Sequence, residues 1–428
     1  MKERKRIRWA LSAALAIGLL IPILGGADDP VIVVKGGRFF IGTRGTIDGG
    51  ILLIRDGKIA AVGKDVAIPA GAKVIDAAGS FIMPGLIDTF TNIGTEEPGT
   101  LGNDSDEKTS PLTPHLRIID SFDPENVFIP IARKAGVTAA LVAPVVGNLI
   151  AGQCGLMRLS GVDVEEMVIR FPVAMQAAFG EAPKSRFGPK NQMPQTRMGE
   201  AALLRQTFID VQNYLQQVSD YDKKLREYEA KEGEGKEAKE DAPKPPAVDL
   251  KLQALVPVLK GELPLLVTAD RFDDILTVLR IADEFRLRII LGGGAEAYRL
   301  KDRLEAKGIP VLLKPEVAAS RLTLDTQRAV PDNATLLWRA GVKIAFQTGS
   351  VKDVTGLIRQ AQFAQANGLP HDEALRALTL NPAEIFGLVG ELGSLEKGKS
   401  ADIAIFEDDP LRIPAKVKLV IIRGEIMK

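Results

Sequence analysis

The chain has 428 residues, 46% of them hydrophobic, with 55 basic and 55 acidic side chains and a formal net charge of zero. That length supports a core of useful size and accommodates two or three domains, or one α/β barrel with an appended domain. The balanced charge shows no clustered Lys/Arg excess, which excludes a nucleic-acid footprint, and the single cysteine, Cys154, excludes an intrachain disulfide.

Lys2, Arg4, Lys5, Arg6 and Arg8 precede an apolar run over residues 10–24, and Gly25-Gly26-Ala27 follows with small side chains. This pattern predicts a secretory signal over residues 1–27 and export to the periplasm or beyond. The apolar run is short for a bilayer span, and retention as an N-terminal anchor is the alternative. Residues 28–85 read as short strands and turns. The Asp56-Gly57 pair between Ile51-Leu52-Leu53-Ile54 and Ile59-Ala60-Ala61-Val62 predicts a hairpin. Residues 401–406 and 417–422 repeat that style at the other end, so residues 28–85 and 389–428 are expected to share one composite β-sandwich.

Between them, strand and helix patterns alternate over residues 86–388. Apolar runs at 139–143, 265–267, 289–291, 311–313 and 343–346 read as buried parallel strands. Residues 272–285 carry Ile275, Leu276, Leu279 and Ile281 at helical spacing, and residues 296–307 form a further helix before the strand at Val311. The pattern predicts an α/β fold, a TIM barrel or a doubly wound sheet. A charged insertion at about 199–249 interrupts it, with a long helix to about residue 230 and a solvated Lys/Glu/Gly/Pro stretch after it.

Several phrases together carry a resemblance. Phe81-Ile82-Met83-Pro84-Gly85-Leu86-Ile87-Asp88, Gly136-Val137-Thr138, residues 374–384 and residues 392–402 are similar to the amidohydrolase superfamily, in particular its imidazolonepropionase-like branch. The resemblance implies a TIM (β/α)8 barrel with a composite β-sandwich. It also implies hydrolysis of non-peptide C–N bonds, in cyclic amides or dipeptide-like substrates, by zinc or another divalent metal at the strand ends. Such a metal lowers the pKa of bound water and polarises a carbonyl.

The positions the resemblance assigns to metal ligands hold other residues. The His-x-His of the first strand is replaced by Phe90 and Asn92; Phe has no donor atom, and Asn offers only a carbonyl oxygen. The later positions fall at Thr268, at Gly294 in the Gly292–Gly294 run, and at Gly349 in place of an acid. Glu181 is the nearest candidate for the bridging group, and Ser400 stands where many members carry an acid. His115 and His371 read as exposed surface residues, and Cys154 as a small core hydrophobe.

No metal or other cofactor is therefore expected. The reading is a catalytically degenerate member that binds a small molecule through a pocket lined by Phe90, Asn92, Thr268, Gly294 and Gly349. Its expected assembly is a homo-oligomer, or a hetero-oligomer with an active amidohydrolase relative. The alternative is a working hydrolase whose site is rebuilt from the carboxylates Asp88, Asp270 and Glu296 with Asn92, favouring Mg²⁺ or Ca²⁺.

Overall fold

The computed structural model describes residues 31–99, 102–233, 242–316 and 323–427. The segment read as an export signal and part of the charged stretch lie outside these residues. Among the described residues no helix is long and apolar enough to cross a membrane.

Eight strands make one sheet that curls into a barrel: β1 Leu86–Thr91, β2 Val137–Val142, β3 Ile150–Arg158, β4 Val168–Ala178, β5 Leu265–Ala269, β6 Ile289–Gly293, β7 Val311–Leu313 and β8 Ile344–Phe346. They lie in chain order across the sheet. The ladders are parallel except around β3, which runs antiparallel to both β2 and β4. Each strand contributes an inward apolar residue to one buried cluster, from Ile87, Leu141 and Leu156 through Ala174, Leu266 and Ile290 to Leu312 and Ala345. The interior is thus a packed core rather than a pore.

The reversed β3 has a consequence for charge. Its last residue, Arg158, emerges at the floor of the barrel instead of the mouth. There it is almost wholly buried and pairs with Asp402 and Ser400 of the C-terminal segment. A buried guanidinium without such partners would be strongly destabilising.

Side chains close the barrel between β8 and β1. Asp88, 2% exposed, accepts from the Thr348 backbone N–H at 3.0 Å, the Thr348 hydroxyl, and the Phe90 N–H at 3.2 Å. Thr89 Oγ1 donates to the Phe346 carbonyl, and the Gly349 N–H to the Phe90 carbonyl, both at 2.8 Å.

Both ends of the chain build the appended sheets. The strand Phe81–Pro84 pairs antiparallel with Ile403–Phe406, which pairs in turn with Val417–Ile422, inside a six-stranded sheet. A four-stranded sheet holds the predicted hairpin, Ile51–Arg55 with Lys58–Gly63; its turn residues Asp56 and Gly57 have φ of 51° and 70°. The left-handed conformation at both positions is what an Asp-Gly hairpin turn requires. Val34, Phe39, Leu52, Ile82, Ile403 and Ile421 share one core between these sheets.

The insertion begins with one helix, Arg197–Gly233. Leu204, Phe208 and Val211 bury its first half with Leu255, Val258 and Phe285, and the Phe208 and Phe285 rings sit 5.3 Å apart. Beyond Tyr214 the helix is mostly exposed as far as its side chains are described.

Candidate functional site

In a barrel of this kind, side chains at the C-terminal strand ends share one mouth. Of the residues expected to line a pocket there, three form a continuous wall. Phe90 is 3% exposed and belongs to the interior apolar cluster, so it caps the packed barrel from above. Asn92 is fully engaged: Nδ2 donates to Glu96 and to Ser105 Oγ, and Oδ1 accepts from the Val351 N–H at 2.9 Å. Gly349, with φ +73°, completes the wall by its hydrogen bond to Phe90. A cavity of about 280 Å³ lies over them, lined by Phe90, Asn92, Glu96, Gly349, Ser350 and Lys352 among others.

Thr268 and Gly294 are not among the residues that line this cavity. Thr268 Oγ1 is 3.5 Å from Gln176 Nε2, inside the barrel. The Gly294 carbonyl accepts from Asn333 Nδ2 at 2.9 Å, so Gly294 anchors a loop instead of walling a pocket. Gly292 leaves room beside Thr268: a Cβ built there would stand 3.0 Å from Thr268 Oγ1.

Asp88 stands apart from the other two carboxylates, whereas Asp270 and Glu296 brace one loop region, the Glu296 N–H donating to the Asp270 carbonyl at 2.8 Å. Asp88 is the closing clamp just described, and burial pushes its pKa up to about 6. Asp270 accepts from the Ala295 N–H at 3.1 Å, and burial raises it to about 6 as well. Glu296 takes the Arg299 guanidinium at 2.7 Å and the Phe272 N–H at 3.3 Å. Among the described residues no three His, Cys, Asp or Glu side chains stand close enough together to hold an ion. The rebuilt carboxylate site is therefore not assembled. The imidazole positions do not fit a metal either, since Phe90 has no donor and both polar ends of Asn92 are already used.

The histidines are less exposed than the sequence suggests. His115 is half-buried, with an unpartnered buried Nδ1. His371 is bonded through its two ring nitrogens to Asp372 and Asp409, each at 2.9 Å, and packs edge-on to Phe81. The Asp409 bond raises its pKa most. Cys154 is fully buried in the barrel interior, and burial pushes its thiol far up, which leaves it inert as a nucleophile.

Sequence reasoning missed two groups, apart from Glu181, which it named as a candidate for the bridging position. Lys314 directly follows β7; its Nζ holds Asp353 at 2.7 Å and approaches the open side of Gly349. The signal was available, since a cation immediately after the apolar run Val311-Leu312-Leu313 sits where barrel sites form. The second group joins the long helix to the rim. Arg197 clamps Asp274 with bonds of 2.5 and 2.9 Å and reaches Asp325 at 3.4 Å, while Glu181 is taken by Lys184 at 2.8 Å. Glu200, fully buried, accepts from the Gly180 N–H at 3.0 Å; its other oxygen has no partner, and burial pushes its pKa to about 8. These contacts are spread over residues 180–325, and no local pattern announces them.

The chain is similar to known amidohydrolases. A model of the Amidohydrolase family matches residues 354–427. The solved structure of an amidohydrolase from Thermotoga maritima MSB8 is 33% identical, covers 93% of this chain and 99% of its own, and superposes with a TM-score of 0.82. The amidohydrolase tasK of Hapsidospora irregularis is 25% identical over 420 residues, 94% of this chain. A dihydroorotase of Geobacter sulfurreducens is 40% identical over 68 residues. The chain spans 41% of the length of tasK and 16% of that of the dihydroorotase. A prolidase solved with a phosphonate-proline ligand, 17% identical with a TM-score of 0.57, shares the fold.

Proposed function

From the premise that this chain belongs to the amidohydrolase superfamily, we propose that it is a member that has kept the barrel as a binding scaffold and lost metal-activated hydrolysis. The observation that carries this reading is the mouth itself. Phe90 fills the place of a ligand with an apolar ring, and Asn92 spends both ends of its amide on Glu96, Ser105 and Val351. A metal site needs donors with free lone pairs converging at about 2 Å on one point, and the residues present do not supply them. What survives is concavity: a small cavity with an apolar floor and polar walls, the kind of space that orients a small ligand.

The chain is proposed to work outside the cytoplasm, as its N-terminal pattern suggests. It is further proposed to assemble with itself or with a catalytically intact relative. Discovery of a neighbouring reading frame that encodes a relative with an unbroken His-x-His would support the second arrangement.

Metal analysis of the purified full-length chain tests the reading. Sub-stoichiometric zinc, manganese and magnesium after dialysis is the expected result. Near-stoichiometric, tightly held metal returns the chain to the working hydrolases. The carboxylate alternative predicts Mg²⁺ or Ca²⁺ in that measurement; that no three such ligands stand together among the described residues weighs against it.

A further inference from the structure

The cavity over Phe90 has a cation beside it with hydrogen-bonding capacity to spare. Lys314 is only 18% exposed along its side chain. Its hydrogen-bond partner is Asp353, at 2.7 Å. An ammonium carries three donors, so two are uncommitted among the described residues. Neither of the other nearby carboxylates is bonded to Lys314 among the described residues. Asp88 accepts from Thr348 and Phe90, and Glu96 accepts from Asn92 through one oxygen.

Gly349 supplies the opening. A Cβ at that position would stand 3.5 Å from both Cδ and Nζ of Lys314, so any other residue would fill the volume facing the ammonium. Gly349 also lines the cavity, and exposed Lys352 at the cavity's edge adds a second positive charge. Lys314 does not itself line that cavity; the missing side chain of Gly349 leaves a gap between the two, facing a largely buried lysine side chain, and charge-assisted hydrogen bonds are strongest where water is scarce.

We propose that Lys314 is the resident cation of this barrel and holds the carboxylate of a small organic acid in the space over Gly349. The inference rests on the reading of the barrel as a binding scaffold and gives that scaffold a ligand class. No bond is made or broken; the carboxylate oxygens accept the two free ammonium donors while Asp353 keeps the third.

The test is the thermal midpoint of the full chain titrated with sodium acetate against sodium chloride at equal ionic strength. A saturable, acetate-specific rise is expected for the parent, with loss of that rise in Lys314→Met. Gly349→Asn is the second variant. Asn tolerates positive φ, fills the space, leaves Lys314 in place, and is expected to lose the acetate rise as well; it decides the matter if the Met variant fails to fold. Absence of a saturable rise in the parent overturns the proposal, as does a rise that persists in either folded variant. Tightly bound metal in the purified chain sinks the scaffold reading by a different measurement, so the two failures are distinguishable.

Discussion

Asp88 is the residue whose role the structure makes most testable. As a clamp, it accepts three hydrogen bonds that join β1 to the end of β8; as a functional acid, it would need access to the mouth, which its 2% exposure denies. Burial raises its pKa from 3.8 to about 6. The folded state therefore holds this proton more tightly than the unfolded chain. The sign follows: stability is unaffected below the unfolded pKa, falls as pH rises from 3.8 towards 6, and levels off above. At about 1.4 kcal/mol per pKa unit, the ionised clamp costs about 3 kcal/mol at neutral pH. Asp88→Asn removes the ionisation. Its carbonyl still accepts from Thr348 and Phe90, and its NH₂ donates to the Thr348 hydroxyl with that hydroxyl reversed. Relative to the parent, the Asn variant should gain about 2–3 kcal/mol between pH 4 and pH 7; Asp88→Ala should lose about 2–4 kcal/mol at pH 4, because Thr348 and Phe90 are left with unsatisfied donors, and its difference from the parent should shift by the same amount, about 2–3 kcal/mol, by pH 7. Urea denaturation of the three proteins at the two pH values measures this. A parent–Asn difference that does not change with pH would refute the argument, as would an Asn variant destabilised as badly as the Ala.

Three further outcomes are expected. His371 has its pKa raised by Asp409 and Asp372, so its contribution is fully present below the unfolded pKa near 6.5 and lost as pH rises through the folded value; the stability difference between the parent and His371→Asn should shrink between pH 6 and pH 8.5 in denaturation measurements. Arg197→Ala leaves Asp274, 2% exposed, without its fork and should destabilise by about 3 kcal/mol, with proteolysis in the long helix as the early sign. The double change Phe90→His with Asn92→His should give no amidase turnover, because Thr268, Gly292–Gly294 and Gly349 still supply no ligands; turnover in a direct assay would show that the remaining ligands lie elsewhere.

How far the sequence disclosed the fold depends on whether the signal was local. The helix read over 272–285 matches the observed Phe272–Phe285, and the strand read over 417–422 matches Val417–Ile422, because both carry an uninterrupted period and clear stops. The Asp56-Gly57 hairpin was equally legible, since only that turn chemistry suits two consecutive left-handed residues. Strands β3 and β4 were not. Ile150–Arg158 mixes Gly152, Cys154 and Gly155 with a terminal arginine, and Val168–Ala178 contains Pro172. Each departs from the apolar run that marks a parallel barrel strand, and the reason is structural. β3 runs the other way, so its end must meet the polar Asp402–Ser400 surface instead of the apolar interior.

The candidate site was legible in the sequence by position along each strand, but not in how residues from different strands meet. Phe90, Asn92 and Gly349 line one cavity, whereas Thr268 and Gly294 do not, and Asp88, Asp270 and Glu296 are spent on closure and loop bracing. A missing histidine can be counted along a strand, because side chains two apart share a face. The residues that take over do not announce themselves. Lys314 matters only because Gly349, 35 positions later, has no side chain, and Arg197 only because Asp274 and Asp325 arrive from two other elements. Compensation between strands is a property of the closed barrel. If the acetate response is lost in both Lys314→Met and Gly349→Asn, the two changes in sequence are one change in chemistry: a mouth without metal ligands whose positive charge is carried by a side chain.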